Sequence, residues 1–215
     1  MLEAPIWTAQ DFVDATNVPH GTLSEFTRWY GLLRKWNARI NLVAPKEIDH
    51  FWRRHAYDSW QLTSHLPEKW ERLVDLGSGG GFPGLAFGIF AKSNSAAKEV
   101  HLVESVGKKT SFLKTVTREL GLPVTVHTAR AENLPPLKAD VLTARAFAPL
   151  PLLFAYAQPH LSNSAILLLP KGESADKEIE SALTDWNFDV QSFKSLTEDA
   201  AAILKITGLR PKRTD

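Results

Sequence analysis

The feature that most limits this chain is Gly77-Ser78-Gly79-Gly80-Gly81-Phe82-Pro83-Gly84, set directly behind the apolar run Leu73-Val74-Asp75-Leu76. Glycines at this density let a backbone turn sharply and approach a ligand closely, at an entropic cost that packing alone does not return. The apolar run reads as a buried strand. Residues 83–91 read as the helix after it, with proline at the first-turn position that tolerates it. The free N–H groups of that helix then face whatever the loop holds.

The same alternation continues downstream. Residues 100–104 read as a second strand, and 107–120 as a helix with Phe112, Leu113, Val116 and Leu120 on one face. Residues 124–127, 140–143 and 165–169 read as further strands, with a helix over 149–160 before the last of them. A helix over 174–183 and closing strands over 187–193 and 202–207 follow. Strands alternating with helices predict a parallel sheet with ligands beyond the C-terminal strand ends, where the strand order reverses. The expected fold is α/β: a Rossmann-like, mainly parallel seven-stranded sheet flanked by helices. Upstream, Leu23, Phe26, Tyr30, Leu33 and Asn37 recur at helical spacing, with Thr22 or Ser24 as a cap, and a second helix runs from Ile48 to about Leu66. The chain therefore divides into a helical extension, 1–70, and a cofactor-binding domain, 71–215.

Gly79-x-Gly81-x-x-Gly84 formally matches the dinucleotide fingerprint, and Glu104 lies about twenty residues on, as that fingerprint expects. Three features favour S-adenosylmethionine instead. The strand already ends at Gly77, so the formal match starts two residues late. Asp75 at the strand end suits the cationic methionine part of that cofactor and would repel a pyrophosphate. Little chain remains after the fifth strand for a hydride-acceptor domain. On this reading Asp75, Gly77, Ser78 and Gly79 surround the cofactor, and Glu104 accepts hydrogen bonds from its ribose.

Composition excludes other chemistry. The absence of cysteine removes a disulfide framework, a thiolate zinc site and a cysteine nucleophile. No metal is expected. With 44% hydrophobic and 23% charged residues the chain is ordinary globular material. Residues 1–19, with Glu3, Asp11 and Asp14, do not resemble a signal peptide, and no apolar run is long enough to span a bilayer. A cytoplasmic monomer without membrane contact is expected. The net charge of +1 is uninformative, but basic residues gather at Arg28/Arg34/Lys35/Arg39, Arg53/Arg54/His55, Lys108/Lys109 and Arg210/Lys212/Arg213. Those at Arg53/Arg54 and Lys108/Lys109, with Lys171, are predicted to grip phosphates.

Further motifs lie along the chain: Ile40-Asn41-Leu42, Arg54-His55-x-x-Asp58-Ser59, Asp75 to Gly84, Glu104-Ser105-x-Gly107-Lys108-Lys109-x-x-Phe112-Leu113, Arg130-Ala131-Glu132, Arg145-Ala146-Phe147-Ala148 and Lys171-Gly172. Together they resemble the bacterial 16S ribosomal RNA guanine-N7 methyltransferases called RsmG or GidB. The resemblance implies S-adenosylmethionine as cofactor and a guanine of small-subunit ribosomal RNA, free or in the particle, as target. It also implies cofactor contacts at Gly77, Phe82, Ala131, Glu132 and Arg145, with Glu104 on the ribose.

Guanine N7 carries a free lone pair, so methylation there needs alignment rather than a general base. Arg145, just past the fourth strand, is the expected catalytic residue, orienting the base or a phosphate through its planar fork. His55 and Asp58 read as a structural contact, Trp52 as a candidate stacking surface, and Phe147 and Pro149 as one wall of a base pocket. A methyltransferase acting on a small molecule or protein, and a non-enzymatic RNA binder, are the competing readings.

Overall fold

The computed structural model describes residues 6–94 and 98–212, so Glu3 and Arg213 lie outside it. The strands are β1 (Arg72–Leu76), β2 (Glu99–Glu104), β3 (Val124–Thr128), β4 (Ala139–Thr143), β5 (Leu161–Lys171), β6 (Trp186–Lys194) and β7 (Ala202–Pro211). They form one seven-stranded sheet in the order β3-β2-β1-β4-β5-β7-β6. β1 to β5 are parallel to one another, and β7 inserts antiparallel between β5 and β6. The order reverses between β1 and β4, which fixes where the crevice lies.

Successive residues of a strand point to opposite faces. Leu73 enters one apolar cluster with Phe12, Phe26, Trp29, Leu85 and Phe112, whereas Val74 and Leu76 enter a second with Leu153 and Phe154. The first face is covered by α4 (Gly84–Ser93) and α5 (Gly107–Leu120) together with α1 (Ala9–Thr16) and α2 (His20–Asn37). The second is covered by α6 (Leu150–Ala157) and α7 (Ala175–Ala182). Because helices close both faces, β1 has no polar alternation. The helical extension shares one continuous core with the sheet. Among the described residues no helix is long and apolar enough to cross a membrane.

The N-terminal layer departs from its sequence reading. α1 exists, closed by a capping box between Thr8 and Asp11. α2 starts at His20 behind Pro19, with no side-chain cap, so neither Thr22 nor Ser24 caps it, and Thr22 is buried. The single helix expected over 48–66 is instead a π-helical segment (Phe51–Tyr57), the short α3 (Asp58–Trp60) and a 3-10 turn (Gln61–His65). Trp52 is buried, within 6 Å of Phe12, Tyr30 and Phe51, and offers no stacking face to a base.

Candidate functional site

The loop after β1 turns through three glycines in the left-handed region, Gly77, Gly79 and Gly81, at φ +72°, +52° and +95°. Its turn is closed from inside: the amides of Gly77 and Ser78 donate to the Val103 carbonyl at 2.8 and 3.1 Å, and Ser78 Oγ donates to the Asp75 carbonyl at 3.1 Å. Two of these glycines have different surroundings. A Cβ on Gly77 would collide with the Phe147 ring, whereas one on Gly79 would meet only the Gly77 carbonyl at 3.8 Å. The space over Gly79 is therefore open.

Beyond the C-terminal ends of β1 and β2 lies a cavity of about 400 Å³, lined by Gly77, Glu104, Ala131, Glu132, Phe147 and Tyr156 among others. That volume falls within the roughly 300–1,000 Å³ of ordinary small-molecule sites. Glu104, only 7% exposed, is locked by two backbone donors: Gly79 N to Oε2 at 3.0 Å and Val106 N to Oε1 at 2.8 Å. A carboxylate has about four acceptor positions, so two remain for hydroxyls in the cavity. Ala131 and Glu132 arrive on a 3-10 turn after β3, held by His160, whose Nε2 donates to the Ala131 carbonyl at 3.1 Å.

Asp75 lies beneath the loop rather than in the cavity. It is fully buried, with Oδ2 accepting from Gly84 N at 3.1 Å and Oδ1 without a partner. Burial pushes its carboxyl up to about 7, against the opposing effects of Ser78, Gly84 and Arg145. Ser78 and Phe82 are buried too. Phe82 stacks between Trp29 at 4.7 Å and His55 at 4.5 Å, and supports the loop from below. An S-adenosylmethionine molecule fits the residues present: Glu104 has spare acceptors and Gly79 leaves room for a ligand.

A second cavity of about 440 Å³ adjoins the first, and Ala146, Phe147 and Ala148 line both. Ala146 holds φ +51°, an uncommon conformation for a residue with a Cβ; of its two neighbours Phe147 lines both cavities and Arg145 only the second. Arg145 faces this second cavity. Its guanidinium donates to Asp58 Oδ2 at 3.1 Å, to the Arg54 carbonyl at 3.1 Å and to His55 Nδ1 at 3.2 Å, and lies 4.9 Å from the Phe82 ring centroid. Arginine only donates, so His55 Nδ1 accepts and the proton sits on Nε2, which is buried without a partner. Burial, with Arg145 and Arg54 nearby, lowers His55 to about 3, so it stays neutral.

Asp58 is the hub of this side. Its Oδ1 accepts from Thr197 Oγ1 at 2.7 Å and Gln61 Nε2 at 3.0 Å, and Gln61 Oε1 accepts from Leu196 N at 2.8 Å. The turn between β6 and β7 is thereby drawn against the second cavity, a role no local sequence signal announces. Lys171, expected to grip phosphate, is instead bound to Glu178 at 2.8 Å and to the Ala148 carbonyl at 3.0 Å. Arg54 pairs with Glu47 at 2.9 Å, and Arg53 lies over the Trp7 ring. Leu152 and Tyr156 of α6 also line the first cavity, and no sequence motif marks them.

The family described as rRNA small subunit methyltransferase G matches residues 22–204. A ribosomal RNA small subunit methyltransferase G from Rhodospirillum centenum is 43% identical over 211 residues, 98% of this chain and 95% of that protein. Among solved structures, a putative O-methyltransferase from Klebsiella pneumoniae superposes with TM-score 0.60 at 10% identity, covering 93% of this chain and 95% of that one. A SAM dependent methyltransferase from Aquifex aeolicus gives TM-score 0.57 at 13% identity, over 81% of this chain and 97% of that one. At these identities the two structures bear on the fold alone.

Proposed function

This chain belongs to the rRNA small subunit methyltransferase G family and is an S-adenosylmethionine-dependent enzyme acting on small-subunit ribosomal RNA; we propose that it methylates N7 of a guanine in 16S RNA. The observation that supports this reading is the pair of cavities divided by Ala146-Phe147-Ala148. The first suits the cofactor and the second the guanine.

Bound S-adenosylmethionine supplies an electrophilic methyl on a sulfonium. The chain's own residues bind and align. Gly77 and Gly79 let the backbone approach, Glu104 takes the ribose hydroxyls, and Ala131 and Glu132 close the far side of the cavity. Asp75 and Phe82 set the loop from beneath, and Ser78 closes its turn. In the second cavity the polar groups are already committed to one another, Arg145 to Asp58 and Lys171 to Glu178. Such a site suits a nucleophile that arrives with a free lone pair. Arg145 orients the base through the face of its fork not taken by Asp58 and His55.

In this reading residues 1–70 form the helical cover and 71–215 the cofactor-binding domain. The enzyme works as a cytoplasmic monomer on naked RNA or the small subunit. Incubation with labelled S-adenosylmethionine and small-subunit RNA, followed by mapping of the labelled base, tests it. Label at guanine N7 is expected; label on another base or atom refutes the assignment.

A further inference from the structure

Two motifs that the cofactor and acceptor cavities do not absorb, Ile40-Asn41-Leu42 and Gly107-Lys108-Lys109, meet on the surface. They border a groove of about 470 Å³ between the end of α2 and the start of α5, lined by Lys35, Trp36, Arg39, Ile40, Lys108 and Ser111. Lys35, Arg39 and Lys108 are exposed, while Trp36 and Ile40 are half-buried. Trp36 is held edge-to-face by Phe112 at 5.8 Å. Among the described residues no carboxylate pairs with any of the three cations.

The groove is tied to the cofactor loop. Asn37 at the end of α2 accepts from Leu42 N and Val43 N at 2.8 and 3.0 Å, and donates to the Val43 carbonyl at 3.1 Å. The segment so fixed lies against the glycine loop: a Cβ on Gly80 would stand 3.4 Å from the Leu42 carbonyl. On the other side Ser105 lines the cofactor cavity, and Lys108, three residues on, lines the groove.

We infer that this groove holds a single-stranded nucleotide of the substrate RNA away from the methylated base, with its base against Trp36 and Ile40 and its phosphates on Lys35, Arg39 and Lys108. An apolar floor inside an unneutralised ring of three cations complements a base joined to a polyanion. Phosphates of one strand neutralise all three at once, which an acidic protein surface does only with matched carboxylates. The inference rests on the RNA-methylating reading above and adds a second contact point for the same substrate.

The test compares wild type with Lys35→Gln/Arg39→Gln/Lys108→Gln, Trp36→Leu and Trp36→Phe on purified small-subunit RNA. The readouts are KM for RNA, the salt dependence of RNA binding, cofactor Kd by calorimetry, and melting temperature. Each lost phosphate contact on a single strand should reduce the log–log salt slope by about 0.7, hence by about 2 for the triple variant. Its KM should rise at least tenfold with cofactor Kd unchanged. Trp36→Leu should raise KM about fivefold or more, the low end of base stacking on an aromatic ring, and Trp36→Phe should restore most of it. A triple variant with wild-type KM and salt slope, while wild type methylates the RNA, overturns this inference alone. Weakening seen only on protein-containing particles, and not on naked RNA, also overturns it. Failure of wild type to methylate the RNA both naked and in the small subunit removes both the inference and the reading beneath it.

Discussion

Arg145 Nη1 stands 3.1 Å from Asp58 Oδ2, and that ion pair joins the loop after β4 to the helical segment over the sheet. The two residues are far apart in the chain and both largely sheltered from solvent. Asp58 therefore sets the direction in which the guanidinium leaves its free N–H groups.

Arg145→Ala should lower turnover by roughly tenfold to a thousandfold, the loss of an aligning contact. Arg145→Lys should recover little, because an ammonium lacks the planar fork that reaches Asp58, His55 and the Arg54 carbonyl together. Asp58→Ala should reproduce part of the loss, and the double variant should be no worse than Arg145→Ala. Turnover at saturating cofactor and RNA decides it; a value for Arg145→Ala within about twofold of wild type would remove Arg145 from the acceptor site.

Glu104→Ala should weaken S-adenosylmethionine by about 1.5–3 kcal/mol, the range for hydrogen bonds to a charged group. It should also lower the melting temperature, since Gly79 N and Val106 N lose their acceptor. Glu104→Gln should fall between wild type and alanine. Its amide must turn an NH₂ toward one of those two donors, so the recovery is incomplete. Calorimetric titration checks both; unchanged affinity in Glu104→Ala would place the ribose elsewhere.

Gly79 and Gly77 should fail differently. Gly79→Val should leave a folded protein, destabilised by about 1–2 kcal/mol for a left-handed residue, with cofactor binding abolished because the side chain fills open space. Gly77→Ala should displace Phe147 and so disturb both cavities. Comparing melting curves with cofactor titrations separates the two; normal affinity in folded Gly79→Val would take the loop out of the site.

Asp75 makes stability depend on pH in an unusual direction. Its folded carboxyl titrates near 7, above its unfolded value. The folded state therefore binds more protons between these values, and Asp75's contribution is full in acid and lost as pH rises through about 7. Asp75→Asn should melt close to wild type near pH 3.5 and progressively higher than wild type as pH rises to 8, by about 2–4 °C per kcal/mol relieved. Equal melting temperatures at pH 8 would show that the carboxylate has found a partner for Oδ1.

The central strands β1, β2, β4 and β5 were legible because each carries an apolar run closed on both faces by helices, and the glycine loop because few other residues can turn that way. α1 was not: Phe12 is its only buried residue, and its evidence is the local Thr8–Asp11 box. The π-helical segment buries Phe51, Trp52, His55 and Ala56, a pattern that an α-helix also satisfies, so its extra residue per turn comes from tertiary fit. Gly77 and Glu104 reach the cavity as their motifs suggest. Arg145 was legible as a residue beyond a strand, but its partners were not, since they lie 87 to 91 positions away. The inward placement of Asp75, Ser78 and Phe82 follows from strand phase and loop closure, which spacing does not encode.

The bonds from Asp58 to Thr197 and from Gln61 to Leu196 also set a schedule. The β6–β7 turn follows Arg145 by about fifty residues, so it leaves the ribosome after the glycine loop, Glu104 and Arg145 have all emerged. Until β7, carrying β6 with it, pairs with β5, nothing draws that turn onto Asp58, and the wall of the acceptor cavity is missing. A nascent chain can thus assemble a cofactor cavity before it has a finished place for the base. Methyl transfer must wait for an antiparallel strand pair added at the β5 edge of the sheet.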